Sequence, residues 1–440
     1  MNAAQWVSIG VLLITLTIQA LLPRLRLLVV CSGAALAALT TNLMCGTPTR
    51  TLLAELPWDV ILIVVALGLL SEQLAASRVF PLLAVRVARW SEGEPARLAA
   101  LFTVGMYAVS GLVNNLTALL LVLPVLLGIL QLLGVSRRYL RWTLGPMLVA
   151  CNLGGAATPI GDFPAILLLG RGAMGFNEYL VRALPQTLVA LVIFALLVGL
   201  VVRPERGLPR SPLAARLALR TMSALHRNIR VDQRLLVPGL VALAGMLTAW
   251  TLVPAESGIG AEAIAWLGAA AALLAAPRLG EGLLRRRVDV GTALFLFALF
   301  VLVGAVRQSG AMEVAADALL ALPMSPKAQL AVFLVAAAVL TALFSAGPSM
   351  AALLDVASAL AEHLPPPVVY VGLAMSVCAG SSMFLTAATS GPLAQSLAER
   401  AQLREPGGAP IRFDFVDHVP VGLLGFAVTL AVGLAFALLG

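Results

Sequence analysis

The sequence predicts an all-α polytopic membrane protein made of two inverted-topology repeats. Of its residues 60% are hydrophobic and only 11% are charged, whereas soluble domains carry about 25% charged residues. Apolar runs of about 20 residues, the length that crosses a bilayer as a helix, recur along the whole chain. We therefore expect a multi-pass protein whose main surroundings are the lipid bilayer.

The two halves of the chain show the same order of elements. Each begins with two apolar runs, at 5–22 and 27–45 and again at 235–252 and 262–277, and a third span starts after an aspartate. An apolar stretch with a polar interruption follows, then a second interrupted stretch and an uninterrupted closing span. A weak internal repeat with interrupted segments at corresponding places is typical of secondary transporters.

We divide the chain into a first repeat at 1–202, a basic cytoplasmic linker at 203–234 and a second repeat at 235–440. Each repeat is predicted to contain about five transmembrane helices, a re-entrant hairpin and a broken helix. The hairpins are expected at 98–134 and 328–362, and the broken helices at 142–170 and 366–395.

The distribution of basic residues predicts the orientation in the membrane. With the N-terminus outside and both hairpins re-entrant, 24 of the 29 Lys and Arg residues face the cytoplasm. The outside keeps Arg50, Arg171, Arg182, Arg307 and Lys327. Cytoplasmic loops are enriched in positive residues, so this topology is favoured, with a bacterial cytoplasmic membrane as the expected location. Each half then crosses the membrane an odd number of times, so the second half has the opposite orientation to the first.

The polar residues exclude several other functions. The 3 histidines and 4 cysteines show no metal-ligand spacing, and neither a nucleophile–base pair nor a phosphate-binding loop is visible. The basic residues lie between apolar runs, as topology signals do, so nucleic acid is not an expected partner. We expect a transporter and not an enzyme, with no cofactor and with Na⁺ as a candidate coupling ion.

The stretch CNLGGAATPIGDFPAILLLG interrupts an apolar segment with helix-breaking residues. Glycine costs about 1 kcal/mol and proline about 3 kcal/mol in a helix interior, so a cluster of them predicts an unwound segment. The cluster contains Gly154, Gly155, Pro159 and Gly161. Unwound backbone at membrane depth is tolerated only inside protein or beside a wet cavity. Asp162 is ionisable and lies in this segment, so it is a candidate ion site, and it also suits the N-cap of the next helix.

The other interruptions supply neutral polar side chains that suit the binding of Na⁺ or of an anion. The same side chains also turn the chain, cap helices or bond to helix carbonyls, and these alternatives stay open. The candidates are Asn114, Asn115 and Thr117 at the first hairpin tip, Asn152 and Thr158 in the first break, Ser345 and Ser349 at the second tip, and Ser381, Ser382 and Thr386 in the second break. Asp355, placed one turn beyond the second tip, is a further candidate carboxylate, and Asp162 with Asn115 is the candidate Na⁺ site.

Three segments resemble the ion transporter superfamily. NNLTALLLVLPVLLGI and NLGGAATPIGDFPAILLL are similar to its first-repeat signatures, most closely those of NhaD-like sodium/proton antiporters, and AGSSMFLTAATSGPLAQ is similar to the second break of that branch. The resemblance implies a homodimer in which each subunit's hairpins and broken helices meet at a midplane site. By position, it implies binding roles for Asn114, Asn115, Thr117, Thr158, Asp162, Ser381, Ser382 and Thr386.

Two departures from the antiporter pattern leave the transported species open. The tip acid of that branch corresponds to Asn114 here, and its second Asp–Asn pair to Ala346 and Gly347. Related branches, which include ArsB and citrate-transporter-like permeases, carry citrate, dicarboxylates, sulfate or arsenite. We expect Na⁺/H⁺ antiport by alternating access first. The alternative is Na⁺- or H⁺-coupled transport of a carboxylate, or export of an arsenite-type oxyanion.

Overall fold

The structure, a computed structural model, describes residues 2–22, 25–92, 94–203, 230–253, 257–286, 288–405 and 407–439. These residues are mostly helical, and one isolated antiparallel bridge joins Arg404 to Pro410. Ten of the helices in these ranges are long and apolar enough to cross a bilayer. The linker expected at 203–234 lies largely outside the described residues.

The described part of the chain contains twenty α-helices, ten in each half. The first half holds α1 (Ala3–Leu21), α2 (Arg26–Cys45), α3 (Thr49–Ala54), α4 (Trp58–Ala76), α5 (Val79–Trp90), α6 (Pro95–Ser110), α7 (Asn115–Leu133), α8 (Arg137–Ala157), α9 (Phe163–Gly170) and α10 (Phe176–Leu196), which a π-helical turn extends at Leu197–Val202. The second half holds α11 (Gln233–Leu252), α12 (Ala261–Leu274), α13 (Pro277–Arg286), α14 (Val290–Gln308), α15 (Ala311–Leu320), α16 (Pro326–Phe344), α17 (Ala346–Leu360), α18 (Pro366–Met383), α19 (Ser390–Arg400) and α20 (Phe415–Leu439).

The two halves correspond helix by helix, apart from α3 and α13. The segments expected to form hairpins hold α6 and α7 in the first half and α16 and α17 in the second. Within the halves, α6 packs against α8 as α16 packs against α18, and α8 packs against α10 as α18 packs against α20. Between the halves, α7 contacts α19 while α17 contacts α9. These reciprocal contacts are consistent with two inverted repeats.

Polar N-cap residues define the starts of several membrane helices. Their side chains accept hydrogen bonds from first-turn backbone amides, as Asn2 does for α1, Ser136 for α8, Asp289 for α14 and Ser325 for α16. The first amides of a helix have no partner within the helix, and hydrocarbon offers none. A side-chain cap therefore satisfies these groups where the chain enters or leaves the apolar layer.

Contacts between helix ends sort the ends into two sets, as two sides of a membrane would. The starts of α8 and α20 are joined by Arg137 Nη2 and Asp417 Oδ2, 2.9 Å apart. The start of α16 and the end of α20 are joined by Lys327 Nζ and Leu438 O, 3.0 Å apart. The distribution of basic residues predicts the same grouping of these ends. The assignment of one side as cytoplasmic, with the N-terminus outside, stays a prediction.

The two breaks are shorter than the sequence predicts. Only 158–162 and 384–389 lie outside helices, because α8 continues through Ala157 and α18 through Met383. Five residues expected in the breaks are therefore helical: Asn152, Gly154, Gly155, Ser381 and Ser382.

The helical glycines allow close packing, and the expectation that Gly154 and Gly155 unwind the chain is wrong. A Cβ atom at Gly154 would lie 2.2 Å from the carbonyl oxygen of Tyr107 in α6. At the corresponding place in the second half, a Cβ atom at Gly380 would lie 2.3 Å from the carbonyl oxygen of Ala338 in α16. Small residues permit such backbone contact between membrane helices. Each broken helix is therefore seated directly on the first arm of its hairpin.

We expect Gly154→Ala and Gly380→Ala to lower the thermal unfolding midpoint of the purified protein, because the added methyl group meets a backbone oxygen. Overpacking of this kind costs about 1–3 kcal/mol. The matched control is Gly105→Ala in α6, where an added Cβ has no atom within 4 Å. Size-exclusion profiles after heating should show losses for the first two variants only. Equal midpoints in all three variants would contradict the packing role.

Candidate functional site

Each hairpin tip is hydrogen-bonded to the break of its own half. In the first half, Thr158 Oγ1 in the break donates to the carbonyl oxygen of Gly111 at the tip, at 2.7 Å. In the second half, the backbone N–H of Ala346 at the tip donates to the carbonyl oxygen of Ala387 in the break, at 3.2 Å. The irregular segments of each half thus satisfy part of each other's hydrogen-bonding capacity.

Helical residues beside the tips and breaks also join the two halves. Asn152 of α8 donates from Nδ2 to Ser382 Oγ at 3.2 Å and accepts at Oδ1 from Ser390 Oγ at 3.5 Å. A Cβ atom at Gly347, in the second tip, would lie 3.5 Å from Cδ1 of Phe163, which begins α9. Both tips and both breaks therefore belong to one cluster, which we call the central cluster.

Asp162 is the carboxylate of the central cluster. Its Oδ1 accepts from the backbone N–H of Phe163 at 2.9 Å, so it caps α9 as the sequence predicts. Gly155 lies between this acid and the first tip: a Cβ atom there would be 2.5 Å from Asn115 Oδ1 and 2.9 Å from Asp162 Cβ. An acid and an amide oxygen side by side are hard oxygen ligands, which suit a small cation such as Na⁺.

Ser110 completes the first tip, and the sequence analysis does not single it out. Its hydroxyl contacts Asn115 Oδ1 and lies 2.7 Å from the carbonyl oxygen of Cys151. Asn115 is 5% exposed, and Asn114 caps α7 by accepting from the N–H of Leu116 at 2.9 Å. Ser110 is the first residue of the polar interruption SGLVNNLT (110–117), and its place there is the sequence feature that could have identified it.

The second tip is a direct turn between two helices. Ser345 ends α16 and precedes α17, with a φ of 83° that is rare for a residue other than glycine. The hydroxyl of Ser349, one turn into α17, is buried and has no hydrogen-bond partner among the described residues. A buried hydroxyl without a partner loses free energy unless water or a ligand meets it. Ser349 is therefore a candidate contact for a transported species.

The remaining neutral candidates differ in availability. Ser381 and Ser382 are buried, and their hydroxyls donate to the carbonyl oxygens of Val377 and Cys378 in the preceding turn of α18. Thr386 is exposed in the unwound second break, and Thr117 is half-buried in the first turn of α7. The serine hydroxyls are thus engaged within the helix, while Thr386 is free to meet a ligand.

Asp355 lies in α17, beyond the second tip. It is nine residues from Ala346, the first residue of α17, which at 1.5 Å per residue is about 13 Å along the helix. Its Oδ1 lies 3.5 Å from Nη2 of Arg307 near the end of α14. Asp355 therefore forms an ion pair with Arg307, away from the second tip.

The closing spans contribute two further residues that the sequence analysis did not predict. The hydroxyl of Tyr179 in α10 donates to the carbonyl oxygen of Ala156 at 2.8 Å. His418 in α20 lies with Nε2 at 3.0 Å from the carbonyl oxygen of Ser382. Tyr179 and His418 are both buried, each with 2% of its surface exposed. Each therefore satisfies a carbonyl at the end of a half-helix, where no intrahelical partner is available.

A charged cluster fixes the start of α8 to the start of α20. The carboxylate of Asp417, 1% exposed, accepts from Arg137 Nη2 at 2.9 Å and from Arg141 Nη2 at 2.8 Å. It also accepts from the backbone N–H of Asp414 at 3.1 Å. Local sequence marks these arginines only as topology signals, because their partner is about 280 residues away in the chain.

Comparisons with known proteins agree with the helical architecture. The profile of the citrate transporter family matches residues 11–380. The magnetosome protein MamN of Paramagnetospirillum magneticum is 26% identical over 426 residues, which cover 93% of each chain. An uncharacterized transporter of Mycobacterium tuberculosis is 27% identical over 374 residues, which cover 82% of this chain and 81% of that one. The Alcanivorax borkumensis YdaH transporter, at 14% identity, superposes with a TM-score of 0.58 over 100% of this chain and 98% of its own, so the fold is shared.

We expect Asp417→Asn to destabilise the protein by about 2 kcal/mol, because two arginines lose hydrogen bonds to a buried carboxylate. The matched control is Asp414→Asn. The side chain of Asp414 is 43% exposed, and its carboxylate lies 3.7 Å from one arginine, Arg137. The expected loss of stability is therefore about 0–1 kcal/mol. Thermal unfolding in detergent separates the two. Equal losses in both variants would show that the buried carboxylate has no special role.

Proposed function

Since the chain belongs to the citrate transporter family, we propose that it moves a small carboxylate anion across a membrane together with a coupling cation. The family and its relatives make it a multi-pass membrane transporter and not an enzyme. The carboxylate substrate, the cation and the location in a bacterial cytoplasmic membrane are the proposed parts. The convergence of both tips and both breaks on one cluster that contains a single acid supports the proposal most strongly.

Helix starts favour an anion in the central cluster. Four helices, α7, α9, α17 and α19, begin at a tip or a break. A helix N-terminus carries roughly half a positive charge together with unpaired N–H groups, and it attracts carboxylates. The contacts of α7 with α19 and of α9 with α17 bring these helices together across the halves. Neutral donors are added by Thr386, which is exposed, and by the hydroxyl of Ser349, which has no partner in the part of the chain that the structure describes.

Asp162 favours a cation in the same cluster. The two tips and the two breaks contain no other acid in the sequence, and Asn115 lies beside it. A bound Na⁺ would satisfy this carboxylate, whose desolvation at membrane depth costs at least about 2.5 kcal/mol. The cation would also offset part of the substrate charge, since no arginine lies in the tips or breaks. Na⁺ is therefore the first candidate for the coupling ion, with the proton as the alternative.

Na⁺/H⁺ antiport is the second candidate function, and the pairing of Asp162 with Asn115 is the observation that favours it. Asp162 would then bind Na⁺ and a proton in turn. The second tip offers Ser345, Ala346 and Gly347 in place of a second acid, so a single carboxylate would carry all the exchange. Anion transport needs only one cation site, and the helix starts supply the rest. The homodimer implied by the resemblance stays a prediction.

Labelled-anion uptake in proteoliposomes distinguishes the two functions. We expect an inward Na⁺ or proton gradient to drive uptake of citrate or a dicarboxylate, because the helix starts bind carboxylates and Asp162 binds the cation. Arsenite is included in the panel as an oxyanion. The complementary assay adds Na⁺ or Li⁺ to inside-out vesicles that hold an acid-inside gradient and a pH dye. Collapse of that gradient without uptake of any anion would establish antiport and reject the anion proposal.

We expect Asp162→Asn to reduce transport by at least about a hundredfold, since an amide cannot supply the negative charge that the cation needs. Asp289→Asn is the matched control. Asp289 is also an N-cap, accepting from the N–H of Thr292 at 2.9 Å, but it is exposed and far along the chain from the central cluster. Expression level and the size-exclusion profile show whether each variant inserts and folds. Normal flux in folded Asp162→Asn protein would remove this residue from the mechanism.

A further inference from the structure

The two broken helices are held by corresponding residues that differ in chemistry. Tyr179 is the fourth residue of α10, and His418 is the fourth residue of α20. Each bonds the carbonyl of the next-to-last residue of its half-helix: Ala156 of α8 and Ser382 of α18. The first break is thus held by a phenol, a group whose ordinary pKa in water is about 10, and the second by an imidazole, a group whose ordinary pKa in water is about 6.5.

The imidazole of His418 is satisfied on one side only. Since a carbonyl oxygen can only accept, Nε2 carries the proton and donates to Ser382 at 3.0 Å. Nδ1 is buried and has no hydrogen-bond partner among the described residues. The imidazole and the ring of Phe413 pack in a T-shaped arrangement, with the ring centroids 6.4 Å apart. In this arrangement a second proton on Nδ1 would be a buried donor without an acceptor, which is costly.

The charges around α20 leave the imidazole without a fixed counter-ion. Helix α20 packs against α8, α10, α16 and α18. Apart from His418, the charged and titratable groups of these helices, of α20 itself and of the described part of the loop before it are Arg137, Arg138, Tyr139, Arg141, Cys151, Glu178, Tyr179, Arg182, Lys327, Tyr370, Cys378, Arg404, Glu405, Arg412, Asp414 and Asp417. The acid next to His418 in the chain, Asp417, already binds two arginines. The carbonyl end of α18 is therefore the main negative group available to a charged His418.

We propose that Tyr179 and His418 are matched positioning residues, and that His418 makes the second break respond to pH. The neutral ring stabilises the arrangement described here, in which Nδ1 is dry. An arrangement that admits water to Nδ1 accepts the second proton, and the carbonyl end of α18 stabilises the resulting charge. Acidification therefore favours the hydrated arrangement of the second break, while the first break keeps its hydrogen bond. This inference deepens the proposed transport function and rests on it for its kinetic test.

The kinetic test compares exchange of labelled citrate by proteoliposomes at equal pH on both sides, across about pH 5.5 to 8.5. The variants are His418→Gln, His418→Tyr and Tyr179→Phe. Citrate ionises to the same extent in every sample at a given pH, so the ratio of variant to wild-type rate removes the effect of that ionisation. We expect this ratio to change by about tenfold across the range for both His418 variants and to stay constant for Tyr179→Phe. His418→Tyr places at the second break the same phenol group that holds the first. It therefore keeps the test usable if His418→Gln does not fold. Constant ratios for all three variants would overturn the proposal.

A second measurement does not depend on any transported substrate. Hydrogen–deuterium exchange of peptides that cover 378–390 is compared at acidic and alkaline pH, after correction for the intrinsic exchange rate. We expect wild-type protein to lose protection on acidification and His418→Tyr to keep it. Equal protection of the wild type at both pH values would overturn the proposal. If wild-type protein exchanges no anion but shows this pH-dependent protection, the proposed substrate fails while the role of His418 stands.

Discussion

The fold depends on the need to satisfy backbone polar groups where a helix is interrupted inside an apolar layer. Hydrocarbon supplies no hydrogen bonds, so each break needs partners from the protein. The hairpin tip supplies one kind of partner, as the backbone N–H of Ala346 does for the carbonyl oxygen of Ala387. The closing span supplies another, as in the contact of Tyr179 with Ala156. A broken helix, a hairpin and a closing span therefore form one unit, and the second half repeats that unit with different side chains.

Close packing and charge pairing then limit what remains available for function. Gly154 and Gly380 bring each broken helix onto its hairpin arm, so little space is left between them. Outside the tips and breaks, Asp417 is paired with two arginines and Asp355 with Arg307. Asp162 differs from these acids because its carboxylate, which caps α9, lies beside the amide of Asn115 and not beside an arginine. An acid that lies beside an amide and has no arginine within ion-pair distance is a suitable place for a mobile cation.

Local sequence predicted the order of the helices, the places of both breaks and the cap formed by Asp162, because hydrophobic length, helix breakers and caps act over a few residues. It did not predict contacts that depend on distant parts of the chain. Arg137 and Asp417, for example, are 280 residues apart in the chain. Nor do the residues around Tyr179 and His418 in the sequence indicate which carbonyl oxygen each side chain bonds. Gly154 shows the limit most clearly: the same residue type serves unwinding or close approach, and only the position of α6 decides between them.

The central claim is that the interruptions of both halves enclose one water-accessible site. Cysteines introduced singly at Thr158, in the first break, and Thr386, in the second, test it in protein whose four native cysteines are replaced. Leu120, apolar and 46% exposed on α7, is the lipid-facing control. A small water-soluble maleimide should label the first two positions and not the third, and one transported anion should protect both. Labelling that fails at either break, or protection of one break without the other, would contradict a shared site.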